Sequence, residues 1–138
     1  MKVELQDMLS CFLLMKLKDD NTFFSKKYGQ WDVPGGFLEL GEHPEAGLQR
    51  EMREELGVEI EILEMLGIFM DHYCQAGKKT GDSTLNICYL AKIKSGKPKP
   101  SSDVAAYKWF KRSEIPIKKI AFKNGQAMIA AWLKYTQL

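Results

Sequence analysis

The order of elements written in this sequence predicts an α/β protein, and three observations carry that reading. Apolar runs with the density or alternation of strands occupy residues 3 to 16, 60 to 70, 84 to 91 and 107 to 110. Helical spacing occurs twice, once between the strand runs at Leu48, Met52 and Leu56, and once after them from Ala127 to Tyr135. The chain has 138 residues, enough for one domain, residues 1 to 138, that buries about two-thirds of its unfolded surface.

The first run, residues 3 to 16, includes Cys11-Phe12-Leu13-Leu14-Met15 and has no helix cap, so it reads as a buried strand. Asp19-Asp20-Asn21 is a turn signal before Thr22-Phe23-Phe24, which predicts a hairpin with Lys26 and Lys27 at its end. Trp31 to Pro34 forms a short strand, and Trp31 either plugs the core or stacks on a base, the core being favoured. Pro44 suits a first helical position, and Gly57 suits the left-handed residue that stops a helix. Ile60, Ile62, Met65, Leu66, Ile68 and Met70 make a long strand. Polar Asp71 to Thr80 reads as a hairpin loop, Thr84 to Ala91 as the return strand, and Ser95 to Ser102 as a connection. Tyr107-Lys108-Trp109-Phe110 alternates as a strand, and Arg112 to Pro116 is a turn. From Phe122 the positions Ala127, Met128, Ala131, Trp132 and Tyr135 predict an amphipathic C-terminal helix.

The chemistry concentrates between Gly36 and Val58. Glu51, Glu54 and Glu55 stand at i, i+3 and i+4, so the central helix stacks three carboxylates on a face away from its apolar stripe. Like charges so placed repel, and a hard divalent cation with a taste for oxygen ligands would compensate them. A solvated acidic face is the bland alternative. Arg50 can reach Glu54 and hold it in one orientation, or make an ordinary surface ion pair. Gly35-Gly36 lets backbone approach a metal or a phosphate closely, and a bare tight turn would use the same residues.

Gly36, Glu42 and Arg50-Glu51-Met52-Arg53-Glu54-Glu55-Leu56-Gly57-Val58 resemble the signature box of the Nudix hydrolases at every specified position. With seven positions fixed, chance agreement is on the order of one in 10⁸. The resemblance covers about residues 31 to 122, strongly in the box and loosely elsewhere. It implies a mixed β-sheet sandwiched between helices, an α/β/α sandwich, and a pyrophosphohydrolase that cleaves a diphosphate linkage in a nucleoside diphosphate derivative with Mg²⁺ or Mn²⁺. The metal ligands it implies are the Gly36 carbonyl, Glu51, Glu54 and Glu55, with Asp103 as a possible addition from the loop before Trp109. The general base is Glu51 or Glu54, with Arg50 supporting. Lys26, Lys27, Trp31 and Tyr73 are the candidate substrate contacts.

Substrate branches of the family are separated only weakly. No proline lies between Glu59 and Lys97, where an ADP-ribose branch often has one, yet the flanks favour ADP-ribose-like compounds. Tyr73, fifteen residues past Val58, points instead to dinucleoside polyphosphates. Nucleoside triphosphates, oxidised ones included, are the remaining substrate alternative. A nucleotide-binding module without catalysis would be expected to have lost box carboxylates, and none is lost. A prenyl diphosphate isomerase would need a catalytic cysteine with no clear counterpart here.

Composition sets outer limits. Residues 39 to 59 hold seven Glu against Arg50 and Arg53, a charge of −5, which leaves +7 in the rest of a chain of net charge +2. An acidic patch in a basic surround suits a metal-bound polyanion, a small nucleotide, and lacks the stripe of a nucleic-acid binder. No apolar run is long enough for a membrane helix, and no leader pattern opens the chain. Three cysteines without a C-x-x-C pair also suit the cytoplasm. A monomer or a homodimer is expected.

Overall fold

The structure is a computed structural model that describes residues 2–6, 11–17, 30–74, 81–99, 104–121 and 123–135. Its elements are β1 (Lys2–Gln6), β2 (Cys11–Leu17), β3 (Trp31–Asp32), α1 (Pro44–Leu56), β4 (Glu59–Cys74), β5 (Gly81–Ser95), β6 (Val104–Lys111) and α2 (Lys123–Tyr135), with 3₁₀ turns at Arg112–Glu114 and Ile117–Lys119. The strands form one six-stranded sheet ordered β3-β2-β1-β5-β4, with β6 paired to β2. It is mixed, since β1 runs parallel to β5, Lys2 opposite Cys88, while the other paired strands are antiparallel.

Alternation along β5 explains the layers, because successive side chains leave a strand on opposite faces. Tyr89 and Ala91 join Leu48, Met52, Leu56, Val58 and Ile60 in the core under α1. Cys88 and Leu90 join Val33, Phe110, Ile120, Met128, Ile129 and Trp132 in the core under α2. Helices therefore cover both faces, and the fold is the α/β/α sandwich. The stripe Leu48, Met52, Leu56 is completely buried, as its spacing requires. The helix starts on Pro44 and ends on Gly57 at φ 69°, a left-handed C-cap whose N–H donates to the Arg53 carbonyl.

Several sequence expectations need correction. Residues 3 to 16 hold two strands rather than one, Lys2–Gln6 in a parallel ladder with β5 and Cys11–Leu17 in an antiparallel one with β6. Asp71 to Cys74 belongs to β4 and Gly81 to Ser83 to β5, since backbone pairing propagates along the hairpin whatever the polarity of the side chains. The turn expected over Arg112 to Pro116 is present, its first part a 3₁₀ turn at Arg112–Glu114. On α2 the buried face runs through Asn124, Met128, Ile129 and Trp132, whereas Ala127 is exposed. The hairpin return at Thr22 to Phe24 lies outside the described residues. No helix among the described residues is long and apolar enough to cross a membrane.

Candidate active site

The site is assembled by α1 and the loop that leads into it. His43 caps the helix, its Nδ1 accepting from the Glu45 amide at 3.2 Å. Upstream, the Glu42 amide donates to the Glu39 carbonyl at 3.1 Å and the Glu39 amide to Glu42 Oε2 at 2.9 Å. This reciprocal pair folds the loop back over the helix.

Arg50 ties loop to helix. Its Nε and Nη2 donate to the two oxygens of Glu42 at 2.7 and 2.9 Å, a bidentate fork. Nη2 also donates to the Phe37 carbonyl at 3.0 Å, and Nη1 donates to Glu51 Oε1 at 2.9 Å and Glu54 Oε2 at 3.1 Å. These charges act on one another. The hydrogen bonds from Arg50 first, and then from the Glu39 amide, hold the Glu42 carboxyl down to about 2. Glu42 in turn pushes the Arg50 guanidinium further up, so it stays charged throughout.

Gly36 completes the arrangement. A Cβ at this position would meet the Glu51 carboxylate carbon at 2.1 Å, so only glycine lets the backbone lie against that carboxylate. Glu51 is thereby held between the Gly36 backbone on one side and Arg50 on the other, with a side chain only 14% exposed. Glu54, by contrast, is 59% exposed and open to water. One carboxylate oxygen of Glu55 is buried.

The structure thus brings together Gly36, Arg50, Glu51 and Glu54 of the sequence candidates. It does not gather Glu51, Glu54 and Glu55 around one point: among the described residues no three acidic, cysteine or histidine side chains form a ready metal cluster. Arg50 takes an oxygen from each of two of them, Glu51 and Glu54. The donor set nonetheless fits a hard divalent ion, since it offers carboxylate oxygens and a backbone segment pressed against one of them.

Trp31 is half-buried and packs edge-on against Phe110, with centroids 4.9 Å apart and planes at 85°. Part of that ring packs against the core under α2 and part of it is exposed. Lys26, Lys27 and Asp103 lie outside the described residues. Tyr73 sits in β4 opposite Asp82, and its side chain is outside them too. Sequence reasoning missed the pairing of Glu42 with Arg50. The two are eight residues apart across a helix start, where no periodic rule applies, and only the box spacing drew attention to Glu42.

Comparison with known proteins agrees with this geometry. Over 87 residues the chain is 33% identical to a MutT-like protein of Streptomyces ambofaciens, a match covering 63% of this chain and 51% of that protein. Over 54 residues it is 44% identical to the nucleoside triphosphatase NudI of Escherichia coli, covering 39% of this chain and 36% of that one. The matches thus span between about a third and a half of those relatives' length. A NUDIX hydrolase structure from Nitrosomonas europaea superposes with a TM-score of 0.75 at 20% identity, covering 97% of this chain and 86% of that chain, which establishes the shared fold. The NUDIX domain pattern itself matches residues 8–133, and the chain belongs to the NUDIX family.

Proposed function

We propose that this chain hydrolyses a diphosphate linkage in a nucleoside diphosphate derivative, assisted by Mg²⁺ or Mn²⁺. The observation that carries the reading is Glu51, fixed between the Gly36 backbone and Arg50. A carboxylate held so costs no reorganisation when it acts, which is what positioned catalysis requires. Glu51, Glu54 and Glu55 with the Gly36 carbonyl would hold the cation, and Asp103 is a further candidate ligand. Bound there, the cation would draw charge from the phosphate oxygens and make phosphorus a better electrophile. Glu54 is the favoured acceptor of the proton from attacking water because it is open to solvent and oriented by Arg50 through one oxygen, and Glu51 is the other candidate. Lys26, Lys27 and Tyr73 remain candidate contacts for the rest of the substrate.

ADP-ribose-like compounds are the first substrate reading. A second, nucleoside triphosphates, is favoured by the name of the E. coli relative, nucleoside triphosphatase. The experiment is an assay of ADP-ribose, dinucleoside polyphosphates and nucleoside triphosphates with Mg²⁺ or Mn²⁺, with both products identified. AMP and ribose 5-phosphate from ADP-ribose would support the first reading, and a nucleoside monophosphate with pyrophosphate the second. Tight binding of nucleotides without turnover of any would replace the enzyme by a binding module.

A further inference from the structure

Phe37 adjoins the carboxylates with its side chain in water. The backbone on both sides of it is tied to the groups that hold Glu51. Gly36 lies against the Glu51 carboxylate, and the Phe37 carbonyl accepts at 3.0 Å from Arg50 Nη2, part of the guanidinium that also donates to Glu51 and Glu54. The Phe37 Cα is one peptide, about 3.8 Å, from that of Gly36. Asp32 to Gly35, just upstream, are buried, yet Phe37 is 83% exposed.

The rest of the loop is closed on itself. Glu39 to Glu42 form a β-turn, in which the Glu42 amide donates to the Glu39 carbonyl and Gly41 takes the third place at φ 76°. Leu40, fully exposed, is the corner of that turn, and Phe37 lies before it. The apolar surface of the loop is too small for a protein partner. An aromatic side chain covers roughly 150–250 Å², so Phe37 with Leu38 and Leu40 stays within the ~300–600 Å² patch of an ordinary monomer and short of the ~800 Å² per partner of a standard interface. A single exposed ring on a fixed backbone is the right size for a small planar ligand.

We propose that Phe37 is the platform on which the base of the nucleotide stacks, and that it favours a purine, whose π-face is the larger; this rests on the hydrolase reading above. Charge decides which part of the substrate Phe37 meets. Arg50 stands among Glu39, Glu42, Glu51 and Glu54, so the surroundings of the loop stay net negative. Phosphates are repelled there unless a cation lies between, whereas the base is neutral. A ribose separates base from phosphate, much as one peptide separates Phe37 from the Gly36 backbone that abuts Glu51. Stacking takes both the ring and the base out of water, which favours the contact with every base and most with the broadest. The platform is already ordered, because the Phe37 carbonyl is bonded to Arg50 and the Glu39–Glu42 pair holds the turn, so binding has little loop entropy to overcome.

The test is calorimetric binding, in Mg²⁺, of ADP, CDP and inorganic pyrophosphate, which has no base. Wild type should bind ADP more tightly than CDP. Phe37→Leu keeps an apolar side chain without the ring, and should raise the Kd of ADP about tenfold while leaving that of pyrophosphate unchanged. Its thermal midpoint should match wild type, since the side chain already stands in water. Phe37→Trp should restore ADP binding. For any nucleotide that wild type hydrolyses, Phe37→Leu should raise KM by a similar factor at constant kcat. Unaltered ADP affinity in Phe37→Leu, an equal loss for pyrophosphate, or no recovery in Phe37→Trp would overturn the stacking role, and equal affinity of wild type for ADP and CDP would overturn the purine preference. If wild type hydrolyses no nucleotide but shows this binding pattern, the hydrolase reading fails and the stacking role stands. Wild type that does not bind ADP would overturn the stacking role as well.

Discussion

Glu42 is kept as a carboxylate by the Arg50 fork and the Glu39 amide, which bring its pKa from 4.5 to about 2. A depressed folded-state value makes this contribution to stability complete above pH 4.5, and it is lost as the pH falls towards about 2. Wild type should therefore lose thermal stability across that interval, and Glu42→Gln should be less stable at neutral pH and flatter below 4.5, as a pH series of melting curves would record. Gly36 makes a different prediction. In Gly36→Ala the new methyl must displace the Glu51 carboxylate, which is the far end of a flexible side chain, so the fold should survive. Turnover should fall by about 10²-fold, the cost of misplacing a catalytic group by an ångström or so. A melting curve beside a kcat measurement separates the two effects. The box spacing made Gly36, Glu51 and Glu54 legible as candidates. How Arg50 distributes its donors was not legible, because it depends on a loop that folds back through Glu39 and Glu42.

At the scale of elements, two glycines bracket the junction of α1, β4 and β5. Gly57 has φ 69° and open space around it, so Gly57→Ala should cost only the left-handed penalty of about 1 kcal/mol. Gly96 has φ 90°, and a Cβ there would meet the Gly57 carbonyl oxygen at 2.7 Å. Backbone cannot give way as a side chain can, so Gly96→Ala should be clearly the more destabilising, by urea titration of both variants. The positions of the helices were legible because caps and stripes are local signals: Pro44, Gly57 and Leu48, Met52, Leu56 behave as read. Strand lengths were not, since the ends of β4 and β5 are set by each other's backbone. The face of α2 was misjudged at Ala127, whose single methyl fits either a core or a surface, while Ile129 is buried.

For the whole molecule, the acidic patch of α1 predicts stabilisation by the cation it would bind. Millimolar-range Mg²⁺ or Mn²⁺ should raise Tm by mass action, and Glu51→Gln should abolish most of that rise, which calorimetry would read without any substrate. Sheet order was beyond the sequence, because the pairing that makes the sheet mixed joins Lys2 to Cys88 and Gln6 to Lys92. That parallel ladder has a consequence for how the protein is made. Strand β1 leaves the ribosome before β5, and its ladder is not complete until residue 92 has followed, so β1 has to wait. Helix α1 and the β4–β5 hairpin, whose contacts are local, can form in the meantime. Synthesis that stalls between residues 74 and 92 would therefore leave β1 without its ladder and open to pairing with another nascent chain.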